Sequence, residues 1–134
     1  MITGLIPSGW IAGNSLHVAC YRDGCLRRLH ALYAVMSSFV FEFQVRARLS
    51  TGHMSLGVVR TAKVPFFSPR LTERLGQLTR HVLHDSEVEP ILEAEVAAAY
   101  GLGRDQFALI LDEFPKLDSR HRNKMLSKSL WAVC

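Results

Sequence analysis

The apolar positions change period along the chain. Residues 2–14 run Ile2, Leu5-Ile6, then Pro7-Ser8-Gly9, then Trp10-Ile11-Ala12 and Gly13-Asn14. Short apolar stretches set between turn formers predict a strand, a Pro-Ser-Gly turn and a second strand. Leu16 to Tyr21 is a third strand candidate, stopped by Asp23-Gly24. Strands this short need a larger sheet to be stable. The abrupt opening on such material leads us to expect a piece of a larger protein.

From Leu26 the period becomes helical. Leu26, Leu29, Tyr33, Met36, Val40, Phe43 and Ala47 alternate spacings of three and four. This predicts one long helix of about six turns with a single buried stripe. Arg46 and Arg48 fall in its last turns, where cations suit the helix dipole, and Thr51-Gly52 ends it. Between Thr51 and Phe67 the helical period is lost. Met54, Leu56 and Val58 alternate with Ser55, Gly57 and Val59, which predicts one or two short strands.

The remainder reads as helices. Ser68-Pro69 is a cap followed by a first-turn proline, opening a helix with Leu71, Leu75, Leu78 and Val82. Ser86 and Glu89 form a capping-box pattern for a helix running to Tyr100 and stopped by Gly101. Gly103 precedes a helix with Phe107, Ile110 and Leu111, ending before Pro115. Ser119 caps a last helix with Met125, Leu126, Leu130 and Trp131. The expected fold class is therefore α+β. Short strands and one long helix occupy residues 1–67, and a bundle of about four short helices occupies 68–134.

Composition narrows the class. At 134 residues, 49% apolar and with 14 Gly plus Pro, the chain is a one-domain globular sequence. It has no apolar run of about 18 residues, no secretory signal and only three cysteines, which points to a cytoplasmic protein without membrane partners. The net charge of +4 hides a split. Residues 1–82 hold ten Arg/Lys against three acids, residues 83–118 two against nine, and residues 119–134 four against none. A basic lobe is what a polyanionic partner such as nucleic acid requires.

Catalytic signatures are not found. There is no G-x-S-x-G, no Walker loop and no G-x-G-x-x-G. Asp112, Glu113 and Lys116 are read as solvated charges at a helix end, not as a nuclease set. His17, Cys20, Cys25 and His30 have zinc-like spacing. The cysteines are expected to be small core hydrophobes instead, and no metal site is assigned. The residues that stand out are cations near the end of the long helix and on the segment after it. Arg46, Arg48, His53, Ser55, Arg60 and Lys63 are the candidate DNA-binding set. Arginine suits phosphates and guanine edges, and Ser and His are supplementary donors.

Four segments, spread in order over nearly the whole chain, also carry a resemblance, and two of them are specific. Ile2-Thr3-Gly4-Leu5-Ile6-Pro7, with Ala34-Val35-Met36-Ser37-Ser38-Phe39-Val40-Phe41-Glu42-Phe43-Gln44-Val45-Arg46-Ala47-Arg48, resembles the C-terminal part of type II restriction–modification adenine methyltransferases. In these a helix with an L-N-S-x-v-F-x-w-x-x-R pattern precedes a t-g-H-i-S-l segment ending in i-P. Here the second reads Thr51-Gly52-His53-Met54-Ser55-Leu56-Gly57-Val58-Val59-Arg60-Thr61-Ala62-Lys63-Val64-Pro65. Ala99-Tyr100-Gly101-Leu102-Gly103-Arg104, continuing to Phe114-Pro115, looks like the ending of these polypeptides. Ser37 stands where the pattern carries Asn. The resemblance implies a target-recognition region that binds double-stranded DNA. The parent polypeptide would be an adenine-specific methyltransferase, with or without a fused nuclease. An upstream domain of the same polypeptide would hold S-adenosylmethionine and the N-P-P-[YF] motif, neither of which this sequence supplies. The chain itself is therefore expected to recognise DNA and not to catalyse. The alternative reading is a non-catalytic module that joins domains or proteins without touching DNA.

Overall fold

Ser68 and Pro69 begin their helix as their sequence dictates. The Ser68 hydroxyl accepts the N–H of Leu71, and Pro69 has no N–H to leave unpaired. In a computed structural model, which describes residues 3–11, 18, 20–49 and 55–131, the ordered elements among those residues are all helical. They are α1 (Leu26–Ser37), α2 (Phe39–Arg46), α3 (Leu56–Thr61), α4 (Pro69–Val82), a 3-10 turn (Ser86–Val88), α5 (Glu89–Ala99), α6 (Arg104–Asp112), α7 (Ser119–Met125) and α8 (Lys128–Trp131).

The α+β expectation is thereby overturned: 63% of the described residues are helical and none forms a strand. The turn near the start is real, with Trp10 N–H bonded to Pro7 O at 3.3 Å and Gly9 at φ +87°. Its described flanks are irregular chain with no partner strand. The rest of the second and third strand candidates, residues 12–17 and 19, lies outside the described residues. The strand expected around Leu56 and Val58 is helix α3. Ser55 caps it through the N–H of Val58 at 3.3 Å. Val58 and Val59 pack on the core as adjacent residues of one helix face.

The single long helix is also broken. Ser38 has extended backbone (ψ 154°), and its hydroxyl donates to Val35 O at 2.7 Å while accepting the Phe41 N–H at 3.2 Å. It thus caps both the end of α1 and the start of α2. The N–H of Phe39 in the first turn of α2 would be a further orphan. Both carboxyl oxygens of Glu93 take it, at 3.3 and 3.2 Å. This break rotates the buried face. Ala31, Ala34 and Val35 face inward from α1, and Val40, Phe41 and Val45 from α2, while Leu26 of the predicted stripe is 66% exposed.

Helix α5 is the centre of the assembly. Leu92 and Val96 join Phe41, Val45 and Leu75 in one cluster, and Ala97 joins Val40, Phe107, Leu111 and Met125 in a second. A helix between two clusters must be apolar on most sides, and α5 buries Glu93 along with its apolar residues. Helix α4 lies along α1, with Gly76 facing the backbone of Arg27 and the Thr79 hydroxyl donating to His30 O at 2.9 Å. The first cluster therefore draws on helices from both sides of residue 67.

Smaller differences lie in the caps. Asp85, not Ser86, caps the 3-10 turn that leads into α5, and Asp118, not Ser119, caps α7. Gly101 ends α5 with φ +75°, a conformation open to glycine without strain. The last predicted helix is two, α7 and α8. Arg104 takes the Leu126 carbonyl at 2.8 Å, and the Trp131 indole takes that of Met125 at 2.9 Å. These side chains satisfy the carbonyls left open where α7 stops.

Candidate nucleic-acid interface

Helix α2 sends its polar residues in two directions. Residues four apart share a helix face, so Glu42 pairs with Arg46 and Gln44 lies beneath Arg48. Arg46 Nε donates to Glu42 Oε1 at 2.8 Å, and its guanidinium carbon lies 4.5 Å from the centre of the Phe114 ring. Phe114 in turn meets Phe39 edge-on, with centroids 4.8 Å apart. Arg46 is therefore held against the end of α6.

Gln44 points the other way, onto the linker between α3 and α4. Its Nε2 donates to Lys63 O at 3.2 Å, and its Oε1 accepts the Lys63 N–H at 3.1 Å. The Tyr100 hydroxyl, at the end of α5, donates to the same Lys63 carbonyl at 2.8 Å. Burial raises the Tyr100 phenol above its ordinary value, so it stays a hydrogen-bond donor. Arg48 Nη1 donates to Gln44 O at 2.7 Å, which caps the C-terminal end of α2 and leaves the rest of the guanidinium exposed. The structure thus brings Arg48 and Lys63 to one side of α2 and sets Arg46 on another. Arg60 is exposed in the last turn of α3. Ser55 is engaged as the α3 cap. His53 lies outside the described residues. Sequence reasoning missed Gln44 and Tyr100, because an amide and a phenol that grip backbone leave no spacing signal. It also passed over Arg70, which is exposed at the start of α4.

The charges sort themselves by partner. The three acids of residues 1–82 are each engaged: Asp23 with Arg28, Glu42 with Arg46 and Glu73 with Arg27. Part of the acidic stretch 83–118 is paired within the molecule, by Lys124 on Glu87, Arg122 on Asp112, Arg74 on Glu95 and Arg104 on Asp105, and His121 lies 3.4 Å from Glu89. Residues 43–72 contain no Asp or Glu at all. Arg48, Arg60, Lys63 and Arg70 accordingly have no acidic partner among the described residues. Exposed pairs contribute at most about 1 kcal/mol each. Their importance here is to offset charge elsewhere, while the cations of the acid-free stretch remain a source of positive potential.

Among the described residues Glu93 is the one strongly perturbed group. It is 2% exposed, and burial raises its carboxyl to about 8, with Glu89 and Glu42 adding to the rise against the Phe39 N–H. A neutral carboxyl packed at a helix junction is a structural strut. Among the described residues no group of three His, Cys, Asp or Glu is placed to hold a metal ion. Of the zinc-like set, Cys20 is exposed, Cys25 is half-buried, His30 sits within α1 and His17 lies outside the described residues. The exposure of Cys20 departs from the core role expected of it. Asp112 and Glu113 end α6 and Asp112 is paired with Arg122, so these residues form a helix terminus. Among the described residues no helix is long and apolar enough to cross a membrane.

Compared with protein-family models, curated proteins and solved structures, the chain matches none. The likeness to adenine methyltransferases rests on the quoted segments alone.

Proposed function

We propose that the chain is a DNA sequence-recognition region of a type II restriction–modification N6-adenine methyltransferase. It would hold double-stranded DNA on the face formed by the end of α2, α3 and the linker to α4. An upstream domain of the same polypeptide would bind S-adenosylmethionine and transfer the methyl group. The supporting observation is the acid-free stretch 43–72, whose cations Arg48, Arg60, Lys63 and Arg70 lack acidic partners among the described residues, while Asp23, Glu42, Glu73, Glu87 and Asp112 are paired internally. Phosphate contacts from such residues would supply most of the affinity, and a few side chains would read base edges.

Duplex binding measured across a salt series tests this. Binding at low salt should weaken steeply as salt rises, and each of Arg48→Ala, Arg60→Ala and Lys63→Ala should lower the logarithmic salt slope by about one. Absence of duplex binding at low salt would overturn the proposal. A second reading, a module that joins protein domains, draws on Trp10 and Ile11, which are 74% and 96% exposed. Under that reading Trp10→Ser would abolish association with the partner domain, and the cation substitutions would not.

A further inference from the structure

The linker between α3 and α4 carries an aromatic side chain where burial would be expected. In Val64-Pro65-Phe66-Phe67, Pro65 is buried and Phe67 packs against the first core cluster, yet Phe66 is 88% exposed. The backbone on both sides of Phe66 is held. Gln44 and Tyr100 grip Lys63 before it, and the Ser68 N–H bonds to Phe66 O at 3.1 Å after it, where α4 begins. The backbone that carries Phe66 is therefore anchored on both sides. A projecting phenyl ring forgoes the stabilisation that burying it would give.

Its neighbours indicate what it meets. Along the chain Lys63 lies before it, Arg70 after it and Arg60 in the last turn of α3, all without acidic partners among the described residues. A purely apolar protein partner would leave these cations to be desolvated unpaired, which is costly. A partner offering anions beside flat apolar faces satisfies both kinds of group, and nucleic acid has that chemistry.

We propose that Phe66 is a wedge that enters a base step of duplex DNA while Arg60, Lys63 and Arg70 hold the flanking phosphates. This inference rests on the DNA-recognition reading and adds a residue that unstacks bases. The ring is exposed and its removal leaves the core untouched, so Phe66→Ala should fold normally.

The test uses the full chain and a short alternating A·T duplex with scattered 2-aminopurine, whose fluorescence rises when its base is unstacked. The wild-type chain should raise the fluorescence on binding. Phe66→Ala should abolish the rise and weaken binding by about five- to a hundred-fold with an unchanged salt slope. Phe66→Trp should restore the rise. The double variant Arg60→Ala/Lys63→Ala should lower the salt slope. If Phe66→Ala binds and fluoresces as the wild type does while the double variant binds more weakly, the wedge is wrong and the DNA reading stands. If the wild-type chain binds no duplex, the DNA reading itself fails and the wedge with it.

Discussion

Gln44 closes on the backbone of Lys63 with both ends of its amide, Nε2 to O at 3.2 Å and Oε1 from N–H at 3.1 Å. This pair ties α2 to the linker on which Lys63 and Phe66 are carried. An amide is the only ordinary side chain that offers a donor and an acceptor side by side in one plane. Gln44→Ala should cost about 1–2 kcal/mol in denaturant unfolding. Gln44→Glu should cost no less, because its carboxylate faces the Lys63 carbonyl with no proton to donate. Hydrogen exchange at the Lys63 amide should accelerate in Gln44→Ala, which removes its acceptor. Unchanged exchange there would show that the linker is held by other contacts.

Glu93 makes stability depend on pH. Its folded carboxyl titrates near 8 against an ordinary value of 4.5, so the folded chain keeps a proton that the unfolded chain has released. Stability therefore falls as pH rises between those values, by at most about 1.4 kcal/mol per unit. His30, lowered from 6.5 by burial and by Arg80, acts in the opposite sense at lower pH. The fall should thus be clearest from pH 6.5 to 8. Glu93→Gln keeps an acceptor for the Phe39 N–H and should flatten it, so that the variant gains on the wild type as pH rises. Parallel stability curves for the two proteins would exclude a neutral Glu93.

Gly76 marks a close approach of α4 to the backbone of α1. A Cβ placed there would sit 3.3 Å from the Arg27 carbonyl oxygen, which is backbone and cannot swing aside. The usual helix advantage of a larger residue over glycine, about 1 kcal/mol, is set against that contact. Gly76→Val adds two methyl groups in the same gap and should destabilise by about 1–3 kcal/mol. Thermal unfolding checks it, and a variant as stable as the wild type would mean that the helices separate easily.

Arg46 and Arg60 should separate stability from binding. Arg46 is engaged by Glu42 and Phe114, so Arg46→Ala should cost about 1 kcal/mol in unfolding and leave the salt slope of DNA binding nearly unchanged. Arg60 has no such partners, so Arg60→Ala should lower the slope by about one and move stability by less than about 0.5 kcal/mol. The reverse pattern would place the DNA contact on the α6 side of α2.

The sequence by itself determined the elements whose ends carry a local chemical signal. Ser68-Pro69 opens α4, and Gly101 and Gly103 bracket the passage from α5 to α6, because caps and glycines act within one turn of chain. The uneven charge was equally plain, since it needs only counting. What only the tertiary structure decided lies where local signals were ambiguous. Over six residues, Leu56–Thr61 fits either an alternating or a helical pattern, and packing of Val58 and Val59 on the core selects the helix. The stripe through Leu26–Ala47 holds no glycine or proline, so its break at Ser38 is invisible until Glu93, distant in sequence, supplies an acceptor for the Phe39 N–H. The candidate interface divides the same way. Its cations are written in the sequence, but which of them are left without partners depends on ion pairs between residues far apart in the chain.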